Sequence, residues 1–270
     1  MVLASSDVAV IEIPSPSPAR ADQQTAIESV ISYMRSNLDE SHSLDDFAEI
    51  AHYSPFHFAR LFRQVVGIPP GEFLAALRFE RAKHLILETD ASITDICFEV
   101  GFSSLGTFSA RFKHLVGVSP VDLRNLPHRL EPRLHNFQCR GQDSANRKGA
   151  TLNAMIEAAT PASGHLYVGL FPAAIPQSAP VSGSHRFGPG PISLHGIPPG
   201  TYRLLAAMYP DSTNPMDHLL RTDRLLVGAD PDPVVIVPGA GVRHRSIALR
   251  PLMDTDPPIL TALAPLALGM

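Results

Sequence analysis

One motif occurs twice in this chain, about fifty residues apart. The copies are SLDDFAEIAHYSPFHFARLFRQVVGIPP, residues 43–70, and SITDICFEVGFSSLGTFSARFKHLVGVSP, residues 92–120. Each copy opens with a serine three residues before an aspartate, which is the pattern of a reciprocal helix N-terminal cap. Each then runs through an aromatic-rich stretch to a glycine and a proline. We therefore expect two copies of one helical unit.

The aromatic residues of the two copies align. Phe58 and Phe62 of the first copy correspond to Phe108 and Phe112 of the second, an offset of 50, whereas the capping serines differ by 49. The second copy thus carries one extra residue in its turn. Two capped helices joined by a tight turn, with an aromatic stripe at i and i+4 on the second helix, form a helix-turn-helix. Two such units in tandem predict a DNA-binding protein.

Length, charge and cysteine content limit the function further. A chain of 270 residues suits two domains of ordinary size. Its formal net charge is −4, and residues 1–127 hold ten basic against sixteen acidic side chains. This balance disfavours a general polyanion binder, so positive charge must be local and the acids must lie on the far side. Two cysteines, no membrane span and no export signal predict a cytoplasmic protein.

Composition divides the chain into four segments. We expect a disordered tail, a tandem helix-turn-helix domain, a basic linker and a β-rich domain, at residues 1–22, 23–127, 128–150 and 151–270. Helical periodicity in the second segment predicts a first helix at about 23–37, a long connecting helix of about 19 residues within 70–90, and a short last helix at about 120–124. The linker holds five basic against two acidic residues, and acts either as a tether or as an arm that follows phosphates.

The last segment has the sequence pattern of an all-β domain. Short apolar runs alternate with proline and glycine, as in HLYVGLF, ISLHGIPPGTYRLLAAMYP, DRLLVG, PVVIVPG and VRHRSIALRP. The spacing predicts about seven short strands in an antiparallel β-sandwich. Residues 151–160 are compatible with an additional helix. The expected fold is therefore multi-domain, all-α first and all-β second.

Helical angles indicate which side chains of the helix 55–66 face outward. Phe58, Leu61, Phe62 and Val65 share a core face, which turns Phe56, Ala59, Arg60 and Arg63 toward solvent. Phe56 suits contact with a thymine methyl, although single exposed apolar residues are common. Arg60 suits a forked contact with guanine O6 and N7, or else anchors a phosphate. His57 lies on the flank, where it meets phosphate or caps a pocket.

The corresponding helix of the second copy, residues 104–116, exposes few side chains that can hydrogen-bond or carry charge. It buries Phe108, Phe112 and Leu115, and it exposes Gly106, Ser109, Ala110 and Lys113. Small residues permit a close approach to DNA, and Lys113 is expected to anchor a phosphate. We therefore expect weaker sequence specificity from this half of the domain.

The run GFSSLGTFSARFKHLVGVSPVDLR, residues 101–124, closely resembles the signature of the AraC/XylS family of transcription regulators. The resemblance extends over about residues 24–124. It implies a seven-helix domain in which each second helix of the two helix-turn-helix units enters a major groove of double-stranded DNA. Helical angles and the resemblance together predict DNA contacts from Ser54, Phe56, His57, Ala59, Arg60, Arg63, Ser104, Leu105, Gly106, Ser109, Ala110 and Lys113. The sequence departs from the family at Leu105, usually polar, and near Ala110, often arginine or glutamine.

The family usually places this domain after a cupin-like sensor, whereas here it precedes the β-rich segment. Residues 192–207, ISLHGIPPGTYRLLAA, resemble the closing hairpin of transthyretin-like or carboxypeptidase-regulatory β-sandwiches. Such modules bind or scaffold, so the domain either holds a small-molecule effector or associates with a second copy or with a partner such as RNA polymerase. The chain is expected to be a monomer or a homodimer. Four aromatic residues either line a pocket or pack in the core: Phe171, Phe187, Tyr202 and Tyr209.

No cofactor and no metal are expected. The clustered histidine and glutamate spacing of a metal cupin is absent, and His185 and His195 are interpreted as surface residues. A catalytic β-domain is the alternative to a binding domain. DNA-repair methyltransferases fused to this kind of domain need a cysteine in a Pro-Cys-His setting, which neither Cys97 nor Cys139 has. We therefore expect a protein that is not an enzyme.

Overall fold

The computed structural model describes residues 18–134, 149–239 and 242–264. Within these ranges a helical part is followed by a β-rich part. The helices are α1 (Pro18–Ser36), α2 (Leu44–Ile50), α3 (Pro55–Val66), α4 (Pro70–Glu88), α5 (Ile93–Glu99), α6 (Leu105–Val116) and α7 (Pro120–Leu134). The strands are β1 (Ala150–Ala158), β2 (Gly164–Phe171), β3 (Ser182–Phe187), β4 (Gly190–Ile197), β5 (Gly200–Pro210), β6 (Leu226–Ala229), β7 (Val234–Ile236) and β8 (Val242–Pro251). A short 3-10 helix, Pro215–His218, lies between β5 and β6. The predicted order of an all-α part and then a β part is confirmed.

The two repeats form the two predicted helix-turn-helix units, α2 with α3 and α5 with α6. The first turn has four residues between its helices and the second has five, so the extra residue inferred from the repeat offset lies in the turn. The connecting helix α4 has 19 residues. The seven-helix architecture implied by the family resemblance is therefore present.

Serine caps begin the first helix of each unit. The Ser43 hydroxyl accepts a hydrogen bond from the Asp46 backbone N–H at 3.2 Å, and the Asp46 carboxylate accepts one from the Ser43 N–H at 2.7 Å. These bonds lower the pKa of Asp46. In the second unit Ser92 accepts from the Asp95 N–H at 3.1 Å, but its hydroxyl donates to the Asp95 carboxylate at 2.7 Å. Both capped starts are confirmed, and the return bond differs between them.

Both turns pass through a left-handed residue at the same position of the repeat. His52 has φ 57° and Gly101 has φ 81°. A Cβ on Gly101 would lie 2.6 Å from the Leu38 carbonyl oxygen and 2.9 Å from Arg78 Nη2. Leu38 belongs to the loop between α1 and α2. Arg78 holds that loop in place by donating to the carbonyls of Leu38 and Glu40 at 2.8 and 2.7 Å. The second turn thus needs glycine for close approach as well as for its backbone conformation.

Two boundaries of the helical part differ from the prediction. Helix α1 begins at Pro18, five residues before the expected start at about 23, and residues 1–17 of the expected tail lie outside the described part. Helix α7 continues ten residues beyond Arg124, into the expected linker. Leu123, Leu126 and Leu130 are buried at helical spacing and stabilise this extension. Residues 135–148 of the linker and 265–270 of the apolar C-terminal run also lie outside the described residues.

The strands form two facing layers that share β8. One layer contains β4, β1 and β8, and the other contains β3, β2, β5 and β6; β8 pairs with β1 along most of its length and with β6 at its end. The short strand β7 pairs with β5. Leu152 and Ile156 of one layer share a core with Leu166 and Leu204 of the other. The structure contradicts a purely antiparallel sheet, because β1 and β8 run parallel.

Residues 151–160 contain strand β1 rather than a helix. Their burial alternates, with Leu152, Ala154 and Ile156 inward, which is the period of a strand. Alanine, methionine and glutamate favour helices, so the hydrogen bonds to β4 and β8 override local propensity here. Strand β3, SGSHRF, lacked an apolar run and was missed by the prediction.

The outer face of the second layer packs against the helices. Every residue of β2 is buried, because alternate side chains face the strand core and the helical part. Tyr167 and Tyr209 lie in the same hydrophobic core as the helices. Tyr202 is buried, and its hydroxyl donates to the Pro198 carbonyl at 3.1 Å. Of the four predicted pocket or packing aromatics, Phe187 is the exposed exception, at 47%.

The described part of the apolar C-terminal run, residues 259–264, connects the two parts of the molecule. The Lys83 ammonium group of α4 donates to the Ile259 carbonyl at 3.2 Å, and the Ala262 N–H donates to the Val116 carbonyl of α6 at 3.1 Å. Most of this run is buried in the shared core. Among the described residues, no helix combines the length and the apolar character needed to cross a membrane.

Lys83 makes folding depend on pH. Burial lowers the pKa of Lys83 from 10.5 to about 8, against the opposing effect of Glu80. Between pH 8 and 10.5 the Lys83 amine is therefore protonated in the unfolded chain and deprotonated in the folded chain. Because the unfolded state binds the extra proton, the free energy of unfolding rises with pH through this window. Across this window we expect the free energy of unfolding of wild type to rise by on the order of 3 kcal/mol more than that of Lys83→Met. Urea unfolding of both proteins at several pH values measures this, and parallel pH profiles would contradict it.

Gly101→Ala is expected to destabilise the protein more than Gly67→Ala. Both glycines have positive φ, 81° and 88°, but a Cβ at Gly67 meets nothing within 4 Å. The conformational cost of about 1–2 kcal/mol is common to both variants, whereas only Gly101→Ala must also displace the Leu38 carbonyl. Urea unfolding measures the difference, and equal losses would show that the close approach carries no free energy.

Candidate nucleic-acid interface

Helix α3 presents one continuous outward face. Its start is set by Ser54 in extended conformation and Pro55 in the first turn. Phe58, Leu61, Phe62 and Val66 are buried and fix the rotation of the helix. Val65, which was expected in the core, is half-buried, and Val66 takes the fully buried place.

The residues opposite this buried stripe are open to solvent. Phe56 is 81% exposed, and Arg60 and Arg63 are exposed, whereas Ala59 is half-buried at their edge. Gln64 is also exposed and lies one turn after Arg60. The prediction missed Gln64, although its i+4 spacing from Arg60 was a readable signal. Together these side chains offer a forked cation, an amide and an apolar ring, which are groups that read base edges.

His57 lies on the flank of α3, between a residue of the preceding turn and Arg60. Its ring stacks on Tyr53, with centroids 4.9 Å apart and planes at 29°. Its Nδ1 lies 3.4 Å from Arg60 Nη2. Tyr53 belongs to the turn before α3, so this stack joins the turn to the guanidinium and orients Arg60.

Helix α6 presents a smoother face than α3. Ser104 caps it by accepting from the Thr107 N–H at 3.4 Å. Gly106, Ala110 and Lys113 are exposed, Leu105 is 39% exposed and Ser109 is half-buried. Phe108 and Phe112 are buried, while Leu115 is half-buried beside the fully buried Val116.

Arg111 is oriented by the aromatic cluster rather than by solvent alone. Its guanidinium lies 5.7 Å from the ring centroid of Phe79 and 5.9 Å from that of Phe102. Cation–π contact of this kind holds an arginine along the flank of its helix. Lys113 is exposed on the same helix, two residues further along.

Charge is distributed by helix within each repeat. Helices α3 and α6 contain no aspartate or glutamate, and their cationic side chains are Arg60, Arg63, Arg111 and Lys113. The acids of the two units lie on the first helices, α2 and α5. The domain has a net negative charge, but the charged side chains of α3 and α6 are all cationic. These two helices thus supply the local positive charge that DNA binding requires.

The candidate nucleic-acid interface is the outward face of α3 together with that of α6. An α-helix fits the major groove of B-DNA, where base edges carry a unique pattern of donors and acceptors. Helix α4, with 19 residues at about 1.5 Å each, separates the two units by up to about 28 Å. Successive major grooves on one face of B-DNA lie about 34 Å apart. The scaffold nearly matches the groove spacing.

Comparison with known proteins places the helical part in a family. Residues 47–126 match a family model described as a helix-turn-helix domain. The HTH-type transcriptional activator AarP of Providencia stuartii is 34% identical over 98 residues, which are 36% of this chain and 73% of AarP. The bifunctional transcriptional activator/DNA repair enzyme AdaA of Bacillus subtilis is 30% identical over 100 residues, which are 37% of this chain and 47% of AdaA.

A solved structure is also similar in sequence to part of the chain. A Chromobacterium violaceum transcriptional regulator, from the AraC-type DNA-binding domain-containing proteins, is 33% identical, covers 38% of this chain and 93% of its own, and has a TM-score of 0.37. The family model extends from α2 into α7, and the match to AarP covers 73% of that activator. The chain therefore belongs to the AraC family of helix-turn-helix transcription regulators.

Proposed function

We propose that this regulator reads a specific DNA sequence by placing α3 and α6 in successive major grooves, with α3 supplying most of the specificity. The observation that carries the proposal is the pair of acid-free helices, whose exposed faces hold Arg60, Arg63 and Lys113. The richer face of α3 includes Phe56 and Gln64. The exposed face of α6 has small side chains, so it permits a close approach to DNA and anchors the DNA phosphate backbone.

Selection from a randomised duplex pool at physiological salt tests this function with the full chain. We expect an enriched motif with two half-sites about one helical turn, ~10 bp, apart. The half-site with the stronger base preference is the one read by α3. Enrichment of a single short motif, or none, would contradict simultaneous use of both helices.

The Arg60→Ala variant is expected to lose both affinity and selectivity. A forked contact with guanine is worth about 1–3 kcal/mol, so binding should weaken by that amount, and one base preference should relax. Arg81→Ala is the matched control, because it removes the same charge from α4, where Arg81 lies 3.6 Å from Glu99. Fluorescence anisotropy on the selected duplex and its single-base variants measures both effects. A uniform loss over all sequences would make Arg60 a phosphate anchor.

Lys113→Ala is expected to change the salt dependence instead. Loss of one phosphate contact reduces the slope of log affinity against log salt by about 1 and leaves base preferences intact. Lys113→Arg keeps the charge and should restore the slope. DNA titrations at several salt concentrations measure the slope for each variant. A wild-type slope for Lys113→Ala would show that Lys113 does not contact phosphate.

We also propose that the chain activates transcription and is not an enzyme, and that it acts in the cytoplasm, where its DNA target lies. AarP and AdaA are both named as activators. AdaA is also named as a DNA repair enzyme, but Cys97 here is buried, its pKa is raised by burial, and its thiol faces the Phe102 carbonyl at 3.8 Å. A buried thiol with a raised pKa is a poor nucleophile. Cys139 lies outside the described residues.

A further inference from the structure

A cavity of about 140 Å³ lies between the β-rich part and the segments that contact α6. Its floor is the outer face of β2, β3 and β5, including Phe171, His185 and Ala207. Its cover consists of the loop that contains Ala179 and of the C-terminal segment that contains Ile259 and Leu263. We propose that this pocket binds a small uncharged molecule built around one apolar ring, and that the bound molecule changes the position of α6. The second half of this proposal rests on the proposed DNA-binding function.

The chemistry of the wall determines the ligand class. Among the described residues that line the pocket there is no aspartate, glutamate, lysine or arginine. The lining histidine, His185, is buried rather than at the surface as predicted, and burial together with its histidine neighbours lowers its pKa to about 3. It is therefore neutral at physiological pH. A charged ligand would lose its hydration without gaining an ionic partner.

The size of the pocket suits one ring. A cavity of about 150 Å³ lined by apolar side chains holds benzene, so 140 Å³ accommodates a molecule of that class. Gly169 and Gly183 are paired across β2 and β3, and a Cβ on either would lie 2.9 or 2.8 Å from the ring of Pro180. Pro180 therefore lies directly on the sheet and closes one end of the cavity.

Both segments of the cover hold the C-terminal end of α6. Ser178, next to the lining residue Ala179, donates its N–H to the Leu115 carbonyl at 2.9 Å and its hydroxyl to the His114 carbonyl. Ala262, next to the lining residue Leu263, donates to the Val116 carbonyl at 3.1 Å.

The last carbonyls of a helix have no partner within that helix, so these contacts satisfy groups that otherwise need water. Thr261 joins the two segments by donating its hydroxyl to the Ser178 carbonyl at 3.0 Å. A molecule that moves either segment of the cover therefore moves the end of α6.

Direct binding tests the pocket without DNA. Phenol is the neutral probe and benzoate is the anionic control of similar shape. We expect phenol to bind the full chain at one saturable site, with shifts of the His185 ring signals in NMR spectra, and benzoate to bind at least tenfold more weakly. Absence of saturable phenol binding, equal binding of benzoate, or saturation without a shift of His185 would overturn the site.

Two tryptophan variants of the covering loop locate the site. Ala179 is exposed and lines the pocket, so Ala179→Trp should block its mouth and weaken phenol binding at least tenfold. Ala173 is partly exposed in the same loop but does not line the pocket, so Ala173→Trp is the matched control. Thermal unfolding confirms that both variants fold. Unchanged phenol binding by a folded Ala179→Trp would place the probe elsewhere.

Coupling is measured on the duplex obtained by selection. Saturating phenol should change the DNA affinity of wild type and of Ala173→Trp by about 5-fold or more, and saturating DNA should change phenol affinity by the same factor. Ala179→Trp should show neither effect. Phenol binding at His185 with no change in DNA affinity would overturn the coupling while leaving the DNA-binding function intact. A chain that binds no duplex would refute the proposed function, and phenol binding would still be decided separately.

Discussion

The structure of the helical part depends on the burial of paired phenylalanines one turn apart on α3 and α6. Phe58 and Phe62 have ring centroids 5.6 Å apart, as do Phe108 and Phe112, and all four are fully buried. Burial of one such side chain contributes about 1.5–3 kcal/mol. These pairs fix the rotation of each helix about its axis. The opposite faces, which carry the cations, must then point to solvent.

The long helix α4 supplies the partners of both pairs. Phe62 packs against Phe73 at 5.6 Å near its start, and Phe112 packs against Phe79 at 6.1 Å further along. One rigid element thus sets the relation between the two units. Arg78 and Arg124 tie the flanking loops to this frame by donating to backbone carbonyls. The geometry needed to meet two grooves therefore arises from core packing and is independent of the bases contacted.

Local signals predicted the helical part well, because each depends on a few neighbouring residues. Ser43 and Ser92 marked helix starts, and the change of offset from 49 to 50 located the extra turn residue. The outward positions of Phe56, Arg60, Arg63 and Lys113 followed from helical angles. The extension of α7 was missed because Pro127 interrupted a pattern that Leu126 and Leu130 continue in the folded chain. Whether the predicted residues contact DNA stays a prediction.

Features set by distant partners were not predictable. Strand β1 is defined by hydrogen bonds to β4 and to β8, about ninety residues away. His185 was expected at the surface, but it is buried, and its ring centroid lies 4.7 Å from that of Tyr167. Lys83, a solvent residue by type, is buried where the C-terminal run meets α4. Each depends on residues that are distant in sequence, which no local pattern encodes.

The proposed binding mode places α3 and α6 in successive major grooves. Dimethyl sulfate methylates guanine N7 in the major groove, so protection of guanines in the selected duplex by the full chain reports this placement without an intermediate step. We expect two protected patches about one helical turn, ~10 bp, apart on one face, with the patch read by α3 lost selectively in Arg60→Ala. Protection of one groove only, or of patches on opposite faces of the duplex, would contradict it.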